Sequence, residues 1–169
     1  MISDFIPFDS YSTINKISSS DQCYKVAKDG SEFFAKITSI VVNDTNSENI
    51  LDKSSAYKNL SYPSVSPFLA VVKEGDQVGY ISPFYASNSL KERLSDLNNT
   101  EKTIALYGFA NALKYLNDNH IIPANLNSLD KIMLDENNNP ILSGFYFSEL
   151  DEISYEDNDF LIPPEIAGS

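Results

Sequence analysis

The sequence predicts a single domain of the α+β class. Strand-like and helix-like segments follow one another as three strands, a helix, two strands, a long helix and a hairpin, and do not alternate as in a parallel α/β fold. The chain has 169 residues, of which 42% are hydrophobic and 21% are charged. These values are typical of about one globular domain that is large enough to bury a core.

The first half of the chain predicts strands and one helix. Residues 10–38 have strand character, and Asp29-Gly30 divides them as a hairpin turn. Apolar residues at helical spacing predict a helix before Pro63, which ends it. The predicted strands include residues 24–27, 32–37, 68–72 and 78–81, and the predicted helix covers 47–60.

The second half predicts the longest helix, over residues 101–117. Asn98 or Asn99 can cap this helix, and Glu101 stabilises its first turn. Its predicted core stripe consists of Leu106, Phe109, Ala110, Leu113 and Leu116. The remaining predicted elements are a short helix over 90–94, a hairpin of 131–134 with 140–142, and an irregular acidic tail over 149–159.

Acidic residues outnumber basic residues two to one. Twelve Lys and Arg residues face 24 Asp and Glu residues, for a net charge of −12. Such a charge repels nucleic acids and anionic membranes, so neither is expected as a partner. Arg93 is the only arginine, which disfavours phosphopeptide capture by an arginine cluster.

The sequence also predicts a cytoplasmic protein. No apolar run approaches the ~20 residues that a membrane-spanning helix needs, and the N-terminus lacks the basic region of a signal peptide. Cys23 is the only cysteine, so a disulfide within the chain is excluded.

Seven short segments match, in order, the sequence motifs of one known family. The most specific is ALKYLNDNHII at residues 112–122, which IMLD follows at 132–135. The others are YKV at 24–26, FFAK at 33–36, LSYPSV at 60–65, SNSL at 87–90 and PE at 164–165. Together they resemble a eukaryotic protein kinase domain, and the motifs are most similar to those of the tyrosine-kinase-like group. The resemblance implies a β-rich small lobe with one helix over residues 1–84, and a truncated, mainly helical second lobe over 85–169.

The resemblance assigns the ATP-binding lysine to Lys36, but much of its surroundings differs from the family. The segment at the place of the glycine-rich loop contains no glycine and carries Asp21, which would repel phosphates. The position of the helix glutamate that pairs with the lysine is Lys53, and its neighbour Asp52 fits only with a shift of register. Phe34 replaces the alanine above adenine, and we expect its ring to block that pocket.

The resemblance also implies that the catalytic groups are missing. Asn125 stands in place of the catalytic aspartate, and an amide cannot accept a proton as a carboxylate does. The metal-binding asparagine falls at Asp130 or Lys131, depending on a one-residue insertion. Gly144 replaces the aspartate that binds magnesium. The family's hydrophobic spine positions, by contrast, are filled by Tyr57, Phe68, Pro123 and Phe145.

The resemblance therefore implies a pseudokinase-like binding or scaffolding module that keeps the family's packing and loses its catalysis. No cofactor or metal is expected. One alternative is a divergent kinase with residual ATP binding or phosphotransfer, which would use ATP and magnesium. Another is a degenerate fragment without a selected function.

A protein partner or self-association is expected, because the resemblance ends before the helices that bury the long helix in the family. An exposed apolar surface of this kind usually marks an interface. The acidic tail is the alternative cover, since it can fold back and supply apolar side chains. The expected uncovered surface consists of Leu106, Tyr107, Phe109, Leu113 and Tyr115.

Several candidate residues also have a purely structural interpretation. Lys36 can be a surface lysine of an edge strand. His120 suits a helix C-terminus, where a positive charge is favourable, and Cys23 suits a half-buried packing position. Asp130 can form a metal site with Asp135, although the hairpin turn explains Asp135 better.

Overall fold

The structure is a computed structural model that describes residues 4–17, 22–86, 88–123, 131–148 and 150. This part of the chain contains both helices and sheets, and the predicted α+β class is confirmed. The strands are β1 (Ile6–Pro7), β2 (Ser12–Lys16), β3 (Cys23–Lys28), β4 (Ser31–Val41), β5 (Ala70–Glu74), β6 (Gln77–Pro83), β7 (Ile132–Leu134) and β8 (Pro140–Leu142). The helices are α1 (Ser47–Lys58), α2 (Leu90–Arg93) and α3 (Asn99–Asp118).

Six strands form one sheet in the order β1-β5-β6-β4-β3-β2. Neighbouring strands are antiparallel, except that β1 runs parallel to β5. Strands β7 and β8 form a separate hairpin. All four strands predicted in the ranges 24–37 and 68–81 are therefore present, and β4 and β6 are longer than predicted.

The two faces of the sheet carry different side chains, as β4 illustrates. Ala35 and Ile37 are buried in a cluster on what we call the outer face. Phe34 and Lys36 alternate with them and lie on the inner face, toward helix α1. Tyr57 of α1 is buried against this inner face. The two predicted site residues Phe34 and Lys36 therefore lie on the face of the sheet that α1 covers.

The N-terminal segment, which the sequence did not predict as a strand, crosses the sheet. Strands β1 and β2 lie at opposite edges although only residues 8–11 separate them. The five steps from Pro7 to Ser12 span at most about 18 Å, whereas the outer strands of a flat six-stranded sheet lie about 24 Å apart. The sheet must therefore curl. Phe5 is buried in the cluster on the inner face and Phe8 in the cluster on the outer face, so this segment holds the sheet from both sides.

Helix α3 is the longest helix among the described residues and begins at Asn99, two residues before the predicted start. The Asn98 side chain accepts a hydrogen bond from the Glu101 amide at 2.8 Å, and the Glu101 carboxylate accepts one from the Asn98 amide at 3.0 Å. This reciprocal capping box selects Asn98 over Asn99 as the cap. In the part of the chain that the structure describes, no helix is long and apolar enough to cross a membrane.

The predicted core stripe of α3 is partly wrong. The buried residues of the helix are Ala105, Ala112 and Leu116, whereas Leu106 is 55% exposed and Ala110 is exposed as well. Leu106 lies about 100° around the helix axis from Ala105, so both cannot face the core. Small residues on the buried side allow the β7–β8 hairpin to approach the helix closely, and the larger residue is left outside.

The surface expected to be uncovered is also smaller than the sequence suggests. Tyr115 stacks on Tyr62 with ring centroids 4.7 Å apart, and its hydroxyl accepts a hydrogen bond from the Ser61 amide at 2.9 Å. Phe109 and Leu113 are half-buried and pack against the core. Of the five residues expected on this surface, only Leu106 and Tyr107 are exposed, at 55% and 71%.

We predict that Gly108→Ala destabilises the protein although alanine is the better helix former. A Cβ atom on Gly108 would lie 2.2 Å from Cγ of the buried Pro140. Helix propensity would favour the substitution by about 1 kcal/mol, but overpacking costs about 1–3 kcal/mol. Because the proline ring is rigid, we expect urea unfolding to show a net loss of about 1 kcal/mol.

The control is the same substitution in a Pro140→Ala background, where the ring that clashes is absent. In that background Gly108→Ala should be neutral or stabilising. A higher free energy of unfolding for Gly108→Ala alone would contradict this close approach of α3 and β8.

Candidate functional site

Lys36 lies at the centre of the inner face. It is half-buried, and its backbone pairs with Cys23 of β3 and Tyr80 of β6. Side chains of directly paired residues point to the same face, so Lys36 lies beside Tyr80. No ion pair links Lys36 to another residue among those the structure describes. Asp52, the alternative partner considered from the sequence, is exposed on α1.

Phe34 lies two residues before Lys36 on the same face. Its ring packs against the inner-face cluster, and its centroid lies 6.4 Å from that of Tyr80. The ring therefore points toward the interior between the sheet and the second half of the chain. The expectation that it blocks an adenine pocket stays a prediction.

Beneath these residues lies a group of buried rings that we call the inner aromatic cluster. Its members are Tyr57, Phe68, Tyr80, Phe145, Tyr146 and Phe147. The Tyr57 centroid lies 5.5 Å from Phe68 and 6.3 Å from Phe145, so three of the four predicted spine residues are in contact. Aromatic pairs of this kind contribute about 0.5–1.5 kcal/mol each beyond the area that they bury.

Two hydrogen bonds fix the polar ends of these rings. The Tyr57 hydroxyl accepts a hydrogen bond from the Phe147 amide at 3.1 Å, and the Tyr146 hydroxyl donates one to the Ser66 carbonyl. The pKa of Tyr146 is raised above its ordinary value of 10. Burial of the hydroxyl is the largest cause, and the charge of the neighbouring Tyr85 adds to it. The Tyr146 phenol is therefore a protonated donor at neutral pH.

Gly144 and Lys131 lie side by side next to the cluster. Gly144 has a φ of +72°, and a Cβ built on it would lie 3.1 Å from Cδ and 3.4 Å from Nζ of Lys131. The Ser143 amide donates to the Lys131 carbonyl at 2.9 Å, which holds the two segments together. A lysine ammonium thus lies where a side chain of residue 144 would begin.

The hairpin turn accounts for Asp135. One of its carboxylate oxygens accepts hydrogen bonds from the amides of Asn137 and Asn139, both at 2.8 Å. Partial burial acts to raise the pKa of Asp135, but the hydrogen bonds from Asn139 and Asn137 outweigh it and hold the pKa below its ordinary value. Within the described residues, no group of three His, Cys, Asp or Glu side chains could hold a metal ion.

The remaining predicted site residues are not brought together. Asn125 and Asp130 lie outside the described residues, as do Asp21 and the match at residues 164–165. His120 is exposed just after α3 in a left-handed conformation, with a φ of +61°.

Two cavities that the sequence did not predict lie elsewhere. A cavity of about 700 Å³ lies between Phe5, Phe8 and the β5–β6 turn, and one of about 380 Å³ lies between Phe84 and the β7–β8 turn. Of the candidate residues, only Asp135 lines one of them, the smaller cavity, where its carboxylate already accepts the hydrogen bonds of the hairpin turn. Comparison with known proteins adds no assignment, since neither the protein-family models nor the curated proteins contain a match to this chain.

We predict that the buried Tyr146 phenol makes the fold sensitive to alkali. Its pKa is raised in the folded protein, so above about pH 10 the unfolded chain loses this proton while the folded chain keeps it. The free energy of unfolding should then fall by about 1.4 kcal/mol for each further pH unit on account of this group.

Urea unfolding between pH 8 and about pH 11 would measure the slope. Tyr146→Phe should make it shallower, whereas Tyr107→Phe, at a ring that is 71% exposed, should leave it unchanged. Equal slopes in the Tyr146→Phe variant and the parent protein would contradict the assignment.

Proposed function

We propose that the chain is a protein-kinase-like domain that serves as a non-catalytic, pseudokinase-like binding or scaffolding module. The order of the described elements agrees with the order that the resemblance implies, with a β-rich first part containing one helix. The packing of Tyr57, Phe68 and Phe145 at predicted spine positions supports the same assignment.

The observation that carries the proposal is the environment of Gly144. The resemblance places the magnesium-binding carboxylate of the family at this residue, which is a glycine in this chain. The ammonium of Lys131 lies alongside instead. A positive charge beside residue 144 disfavours a divalent cation there, and residue 144 itself supplies no ligand for one.

The residues around the proposed nucleotide site also favour binding of a partner over catalysis. Phe34 carries a ring toward the interior, and Tyr146 adds a second ring where the family has a glycine. Lys53 supplies a positive charge on α1 where the family has the glutamate partner of Lys36. Rings in place of small residues reduce the room for a nucleotide, while the aromatic packing stabilises the module as a scaffold.

One observation favours the alternative of residual ATP binding. Lys36 lies half-buried on the inner face and pairs with no carboxylate among the described residues, so its charge remains available to a phosphate. The two functions differ in their response to nucleotide, and the experiments below separate them.

We expect no measurable phosphate transfer from ATP to the protein itself or to a generic substrate. Kinases with intact machinery turn over at about 1–100 per second. Loss of a general base costs about 10²–10⁴ in rate, and the metal ligand is missing as well. Radiolabel transfer that Lys36→Ala abolishes would contradict the proposal.

Gly144→Asp tests the role of Lys131 directly. In the single variant the new carboxylate should pair with the Lys131 ammonium, so magnesium should still produce no thermal shift. Gly144→Asp combined with Lys131→Asn removes the competing cation and should permit a shift with magnesium, and Lys131→Asn alone is the matched control. A shift in the single Gly144→Asp variant would contradict the inferred repulsion.

We also expect millimolar MgATP to leave the melting temperature unchanged. A ligand present at about 100 times its dissociation constant would stabilise the fold by about 2.7 kcal/mol, which a melting curve detects. Phe34→Ala should improve nucleotide binding if the ring is the obstacle. A clear shift in the parent protein that Lys36→Ala removes would establish the alternative function instead.

A further inference from the structure

The smaller cavity lies between residues 84–86, which follow β6, and the β7–β8 turn. Its volume is about 380 Å³, and it is open to solvent. The first segment lines it with two aromatic residues, Phe84 and Tyr85, and the turn lines it with two carboxylates, Asp135 and Glu136. Aromatic rings and carboxylates both attract cations, so the lining as a whole favours a positively charged group.

Hydrogen bonds hold the two sides of the cavity in place. The Leu134 amide donates to the Asn88 carbonyl at 3.1 Å, which joins β7 to the segment after β6. The Tyr85 hydroxyl lies 3.1 Å from Oγ of the buried Ser66. The polar end of this side chain is thus bonded inside the protein, and the ring is what Tyr85 presents to the cavity.

The two carboxylates have no cationic partner among the described residues. One oxygen of Asp135 accepts the amides of Asn137 and Asn139, and the other accepts the Asn139 side chain at 3.1 Å. These donors are neutral, so the negative charge of Asp135 remains. A carboxylate has about four acceptor positions, which leaves Asp135 able to accept from a cation, and Glu136 is exposed beside it.

The cations of the chain that lie next to this site are bound elsewhere. Nζ of Lys25 lies 4.7 Å from the centroid of the Phe84 ring and 2.9 Å from the Glu32 carboxylate. Arg93 donates to the Asn138 side chain at 3.0 Å. Neither Lys25 nor Arg93 lines the cavity. The Lys25 contact also shows, within this chain, an ammonium group held by an aromatic ring together with a carboxylate.

We propose that this cavity binds a lysine or arginine side chain from a basic segment of a partner protein. The cationic group lies against the rings of Phe84 and Tyr85 and pairs with the carboxylates of Asp135 and Glu136, while Leu134 contacts the methylene groups of the side chain. This inference rests on the lining of the cavity and does not depend on the proposed function.

A partner protein fits the cavity better than a small free amine. Sites for small molecules usually enclose most of the ligand, whereas this cavity is open and leaves room for the main chain of a partner to continue. The net charge of −12 also attracts basic segments and speeds their encounter with the protein.

A titration of the full-length chain, followed by the nitrogen-15 amide spectrum, tests the proposal. The probe is a blocked pentapeptide of one lysine among four glycines, at about 0.15 M salt to screen distant charges. We expect saturable shifts at residues 84–86 and 134–137, with a dissociation constant on the order of 1 mM. The same peptide with an acetylated lysine side chain has no charge and should bind about tenfold more weakly.

Matched variants separate this site from the general negative charge of the protein. Glu136→Gln should weaken binding about threefold. Glu74→Gln removes the same charge from an exposed position at the end of β5 and should leave binding unchanged. Phe84→Leu keeps an apolar side chain but removes the ring, and should also weaken binding about threefold. Circular dichroism of each variant should match that of the parent protein.

The possible outcomes each decide the proposal. Shifts confined to the cavity that respond to acetylation and to Glu136→Gln support it. Equal binding of the charged and acetylated peptides overturns it, and so does an equal effect of Glu136→Gln and Glu74→Gln, which would indicate binding by net charge alone. Binding of butylammonium without binding of the peptide overturns it in favour of a small free amine.

Discussion

Tyr57 is the residue on which the arrangement of the molecule depends. Its ring contacts Phe68, which precedes β5, as well as Phe145, Tyr146 and Phe147 after β8, with centroid distances of 5.2–6.3 Å. Its hydroxyl accepts a hydrogen bond from a backbone amide of that last segment. The Tyr57 side chain thus joins the curled sheet to residues 145–147, which follow the β7–β8 hairpin. Its contacts fix the position of that segment relative to the sheet.

The same packing limits the chemistry that the interior can support. Rings in contact leave little room for water or for mobile polar groups, and a buried carboxylate beside them would need a partner of opposite charge. The chain places a glycine there instead, and the neighbouring lysine keeps its aliphatic stem against that glycine. Around residue 144, rigid ring packing therefore occurs together with a residue that has no side chain of its own.

The sequence predicted elements whose signals are local. Asp29 and Gly30 both have positive φ angles, 52° and 80°, as a two-residue hairpin of this type requires, and the capping box marks the start of α3. Strand β1 escaped prediction because it has two residues and pairs with β5, far along the chain. Leu106 was misassigned because apolar residues occur on more than one side of α3. The contact between Lys131 and Gly144 could not be predicted, since it depends on how the hairpin closes.

The curled sheet has two edges, and the chain protects them in different ways. An open strand edge offers unpaired amides and carbonyls on which another molecule can add a strand. At one edge, β1 pairs with the backbone amides and carbonyls of β5. At the other edge, β2 is interrupted by a bulge between Thr13 and Asn15 and carries the charged residue Lys16. The first edge is protected only while residues 4–8 remain in place. The N-terminal segment therefore protects this edge as well as shaping the sheet, because its release would expose the backbone of β5 around Val72 to other molecules.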